Sequence, residues 1–151
     1  MSTTDTFEIR TFADAIVTAI RVRARFRRAH AVASLDLSGR VRDLTAFTVR
    51  RHTVDTALAW AACVATDDPY VSHVLLVSVG RDSVEPVSEA DLERYRRARA
   101  AFGAEGVTVL DWIQYDGRRF RSLAFTIGGT DASAWDDPFD ELDRGDTNRD
   151  R

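Results

Sequence analysis

Three histidines, His30, His52 and His73, and one cysteine, Cys63, are the whole supply of soft metal ligands in this 151-residue chain. They are scattered, so a His-Cys-Cys or cysteine-rich zinc centre cannot be assembled from them. A metal would have to be held by carboxylates, and Asp82, Glu85, Asp91 and Asp111 could together offer a rebuilt site for a hard ion such as Mg²⁺ or Mn²⁺. All 21 basic residues are arginine, which removes Schiff-base and P-loop lysine chemistry. His73 precedes an apolar run and His52 lies beside Arg50 and Arg51, with no nucleophile or orienting group spaced near either. They read as a strand-end residue and a surface residue rather than a catalytic pair. Cys63, set among alanines, reads as a small core residue, and Trp60 and Trp112 as core fillers. Arg21, Arg25 and Arg28 fall on one helical face, and residues 21–51 hold nine arginines against Asp36 and Asp43. Such a patch could bind phosphate and give salt-sensitive affinity for nucleic acid, although a solvated face is the commoner outcome.

The elements that must position these groups follow from apolar spacing. Phe12, Ile16, Ala19 and Ile20 lie on one helical face with Asp14, Thr18 and Arg21 opposite, which predicts a helix starting near Thr11. Beyond Ile20 the pattern turns to period two and the boundary blurs. Residues 31–37 and 41–49 read as the two strands of a hairpin around Asp36-Leu37-Ser38-Gly39. Val54, Ala57, Leu58, Ala61 and Ala62 predict a helix over about 53–65, stopping before Asp67-Asp68-Pro69. The continuous run from His73 to Val77 predicts a central strand covered on both faces. After a loop from Gly80 to Val87, Ser88 is placed as the N-cap of a charged helix with Asp91 at its third position, approximating a capping box. That helix should end at Gly103. Residues 107–115 and 120–127 read as strands joined by an Asp116-Gly117 turn. The order is α-β-β-α-β-α-β-β, a mixed α/β or α+β domain.

From about Ala29 to Ala124 the chain resembles the JAB/MPN metalloprotease-like domain in its bacterial RadC-like form. The residues carrying the resemblance are Val74-Leu75-Leu76-Val77-Ser78-Val79-Gly80, Pro86, Ser88-Glu89-Ala90-Asp91 and Val109-Leu110-Asp111-Trp112. They follow the family's order of apolar strand, His-x-His loop, Ser-x-x-Asp helix and Leu-Asp strand. The resemblance implies a cytidine-deaminase-like layered domain and places Ser78 and Gly80 where the family has its two metal-binding histidines. It also places the family's general-base glutamate near Arg28 or Ala29. A hydrolytic zinc needs about three protein ligands and a water, and of that set only Ser88 and Asp91 remain as vestiges. The expectation is a catalytically inactive domain, with no metal or other cofactor, acting as an interaction or scaffold module. The bland reading of Ser88 and Asp91 is helix capping, and of Ser78 and Gly80 a strand end at which glycine permits a turn.

Length and charge set the outer bounds. At 151 residues a single domain can bury a core without disulfides or a structural metal. Residues 1–130 carry 18 Arg against 16 acidic residues, and 131–151 carry 3 against 8, so an acidic, largely disordered tail is expected after the domain. Trp135, Phe139 and Leu142 could anchor part of it. No apolar stretch approaches a membrane span and Met1-Ser2-Thr3-Thr4-Asp5 lacks a signal pattern, which leads to the expectation of a cytoplasmic protein. For partners, a protein or a second copy is expected, with the stripe of Phe12, Ile16 and Ile20 as the candidate contact.

Overall fold

The computed structural model describes residues 7–48, 59, 62, 67–80, 88–127 and 135. The elements are α1 (Phe12–Arg25), β1 (Ala29–Leu35), β2 (Val41–Thr48), β3 (His73–Val79), α2 (Glu89–Ala104), β4 (Thr108–Tyr115), β5 (Phe120–Ser122) and α3 (Leu123–Ile127). The strands form one mixed five-stranded sheet in the order β2-β1-β3-β4-β5. Only β3 and β4 are parallel, and α2 is the crossover between them. The architecture is mixed α+β with three helices among the described residues. The expected helix over 53–65, with Trp60 and Cys63, lies outside them apart from Ala59 and Ala62, as do His52, the loop of 81–87 with Asp82 and Glu85, and the tail except Trp135.

Alternation along β3 divides the core in two. Leu75, Val77 and Val79 point to the face covered by α1, while Val74 and Leu76 point to the face covered by α2 and Ala62. The prediction of a central, doubly covered β3 is met. A capping box starts α1: Thr11 Oγ1 accepts from the Asp14 amide, and the Asp14 carboxylate accepts from the Thr11 and Arg10 amides. The helix runs on to Arg25 and is rotated from the expected face, burying Ala15, Thr18, Ala19 and Val22 and leaving Ile20 45% exposed. It lies chiefly over β3 and β4, and β1 contributes Ala29, Ala31 and Ala33 to the same buried cluster. Small residues opposite small residues let the backbones approach, and the inward Thr18 hydroxyl is satisfied by the Asp14 carbonyl at 2.8 Å.

The hairpin turn is as expected, held by Asp36 Oδ1, which accepts from the Ser38 and Arg40 amides, with Gly39 at φ 86°. Several boundaries differ, and the first hairpin strand spans Ala29–Leu35 rather than 31–37. Gly103 lies inside α2, and the left-handed residue that ends the helix is Gly106, at φ 78°. The last strand is only three residues long because Ser122 turns it into a helix. Its Oγ accepts from the Phe125 amide, and Asp111 Oδ1 accepts from the Ala124 amide, so two side chains cap the start of α3. Among the described residues, no helix is long and apolar enough to cross a membrane.

Candidate functional site

The carboxyl end of β3 gathers most of the chemistry. Antiparallel pairing sets His30 of β1 opposite Ser78, and parallel pairing sets Gln114 of β4 on its other side. Period-two alternation puts all three on the α2 face, one step beyond the apolar Val32, Leu76 and Trp112. Trp112 Nε1 donates to Ser78 Oγ at 2.8 Å, and Ser78 Oγ lies 2.7 Å from His30 Nδ1. An indole N–H can only donate, so the hydroxyl accepts from Trp112, and it bonds His30 Nδ1 through its own proton or its second lone pair according to the imidazole tautomer. Burial holds the His30 pKa below its ordinary value; nearby Arg94 pushes it the same way and Asp91 opposes.

The amino end of α2 faces this cluster. Ser88 Oγ caps the helix by accepting from the Asp91 amide at 3.1 Å, as expected, although no reciprocal bond from the Asp91 side chain completes a box. The Asp91 carboxylate instead meets Arg94 Nη1 at 3.5 Å. Gly80 ends the strand without adopting a left-handed conformation. A side chain there would meet only the stem of Arg28, at an ordinary 3.6 Å from an ideal Cβ. The structure therefore brings Ser78, Gly80 and Asp91 to the same end of the sheet and adds His30, Arg28 and Arg94.

This set does not suit zinc. The Ser78 hydroxyl is engaged by both Trp112 and His30, Gly80 has no ligand atom, and Asp91 is paired with a guanidinium. Among the described residues, no group of three His, Cys, Asp or Glu is placed to hold a metal. Of the carboxylates of the alternative hard-ion site, the two that are described, Asp91 and Asp111, do not converge. A bulge in β4, where Val74 pairs with Val109 and Leu75 with Asp111, turns both Leu110 and Asp111 toward the α1 face, away from Asp91. Asp111 is fully buried and accepts from Ser122 Oγ, Trp135 Nε1 and the amides of Trp112 and Ala124. Burial raises its pKa, and those four donors act against the rise. Its role is to hold β4, α3 and Trp135 together.

The arginine face is also dispersed. Arg21 and Arg25 are exposed on α1, but the chain leaves the helix at the extended cap Phe26, so Arg28 shares no helical face with them. Arg40 pairs with Glu8 at 3.7 Å and Arg42 with Asp68 at 2.6 Å, which reduces the basic character of the hairpin.

His30 and Arg94 were not legible as site residues, and Trp112 was legible only as core. The alternation from Ala29 to Leu35 does give the side of the strand His30 occupies. That it meets Ser78 depends on β1–β3 pairing between segments far apart in sequence. No protein-family model matches the chain, and no curated protein matches it.

Proposed function

We propose that this chain is a degenerate RadC-like JAB/MPN domain whose hydrolytic metal site has been replaced by a neutral hydrogen-bond network, and that it works by binding a protein or a second copy of itself. The observation that carries the reading is the His30–Ser78–Trp112 network at the position assigned to a metal ligand. A metal ligand must offer a lone pair to the ion, and here the Ser78 oxygen accepts from an indole N–H and is hydrogen-bonded to an imidazole. Arg94 beside Asp91 adds positive charge where a cation would sit. The sheet order, with a hairpin beside a parallel β3–α2–β4 unit, supports the layered frame of the resemblance. Fold likeness alone names no activity, so the reading rests on the site.

Elemental analysis of protein purified without chelator tests it. The expected result is no stoichiometric zinc, magnesium or manganese. One tightly bound ion per chain would overturn the reading in favour of a metal-dependent hydrolase.

A further inference from the structure

The outward side of α1 carries a pattern that the fold itself does not use. Directly opposite the buried Ala15, Ala19 and Val22 stand Ala13, Val17, Ile20 and Ala24, all four exposed, Val17 by 47% and Ile20 by 45%. Their spacing of four, three and four is that of a helix-pairing seam. It reads the same in both directions, with the large residues at the centre and alanines at the ends. We infer that this face pairs with the same face of a second copy, the two α1 helices running antiparallel about a twofold axis between Val17 and Ile20.

Self-complementarity argues for a second copy. A twofold axis at that point sets Val17 against Ile20 of the partner subunit and Ala13 against Ala24 of the partner subunit, so each large residue meets a large one and the alanines close the ends. Charge argues for the antiparallel direction. On one flank of the seam α1 carries Asp14 at its amino end and Arg21 and Arg25 toward its carboxyl end. In an antiparallel pair like flanks meet, which sets Asp14 at a level between Arg21 and Arg25 of the partner subunit, twice over by symmetry. A parallel pair would instead bring the flank with Arg21 against the flank with Arg23 of the partner subunit, like against like. Antiparallel helix dipoles favour the same choice. Fourteen residues span about 21 Å, so the seam is a small interface, below about 800 Å² per partner, with dissociation in the micromolar range. This inference deepens the binding reading above by naming the partner, and metal measurements do not bear on it.

Sedimentation velocity and site-directed cross-linking test it on the full chain. The wild-type mass should rise with concentration toward twice 16.9 kDa across the micromolar range. Val17→Glu with Ile20→Glu, both exposed and so compatible with folding, should weaken association at least tenfold while leaving the circular dichroism spectrum unchanged. In a Cys63→Ser background, Ala13→Cys chains mixed with Ala24→Cys chains should form a disulfide. Neither variant alone should do so, because antiparallel pairing separates like positions by about 16 Å, beyond disulfide reach. A monomer throughout the micromolar range, a folded double glutamate variant that still associates as the wild type does, or cross-linking of each single variant with itself would overturn the inference.

Discussion

Ser78 shows how one hydroxyl can close a site that would otherwise invite chemistry. Its partners sit on two other strands, Trp112 on β4 and His30 on β1, so the bond set ties three strands at one level. Trp112→Phe removes the donor, and Ser78→Ala leaves a buried indole N–H unpaired; each should cost about 1–3 kcal/mol in chemical denaturation. Because the two changes remove the same bond, the double variant should cost clearly less than their sum, and strict additivity would show that the bond contributes nothing. The same residues set a pH dependence. His30 is neutral in the fold with its pKa held below 6.5, so above that value it has no effect on stability. As pH falls through 6.5 the unfolded chain takes up a proton that the fold refuses, and stability declines until the folded-state value is passed. His73, also depressed by burial, acts in the same sense, whereas the raised pKa of Asp111 acts in the opposite one, since its carboxyl is protonated more readily in the fold. The measurement is the denaturation midpoint between pH 7.5 and 5. His30→Asn should flatten the decline, leaving the part due to His73, and an undiminished slope would contradict the assignment.

At the scale of elements, the sequence disclosed what local spacing controls. The Asp36 turn, the Thr11 and Ser88 caps and the apolar β3 were legible because their signals lie within a few residues. The face of α1 was not, since it is set by the surface of β3, β4 and β1, which only the assembled sheet places beneath the helix. The end of the last strand failed for a similar reason: Ser122 is a local cap signal, but the second capping group is Asp111, eleven positions earlier and brought there by sheet pairing. The two glycines near the end of α2 give a paired test. Gly103 lies in the helix with open space around its Cβ position, so Gly103→Ala should stabilise by about 0.5–1 kcal/mol. Gly106 has equal space but φ 78°, so Gly106→Ala should destabilise by about 1 kcal/mol. Thermal denaturation of both variants checks the pair. Equal effects would mean that Gly106 does not end the helix as described.

Across the whole molecule, two faces of one sheet carry separate tasks. The α1 face holds the fully buried Asp111, whose four donors fasten β4, α3 and Trp135, and Trp135 packs edge-on against Phe12 at 6.1 Å. Of the three residues read as possible anchors of the tail, Trp135 is the one described, and its seat beside Asp111 and Phe12 was not legible. Exchange of Asp111 for Asn would set an amide N–H₂ against other donors and should cost about 1–3 kcal/mol, read by thermal denaturation. The α2 face holds the candidate site, where Ser78, Gly80 and Asp91 lie at one end of the sheet and long-range pairing supplies His30. The most direct test of the central proposal is to rebuild what it says has been lost. Ser78→His with Gly80→His restores two imidazoles to the frame, and the ordinary backbone and open space at Gly80 admit the side chain. Zinc titration by calorimetry should show about one ion bound per folded double variant, with Asp91 as the third ligand, and none bound by the wild type. A folded double variant that binds no zinc, or a wild-type chain that already binds it stoichiometrically, would contradict the proposal.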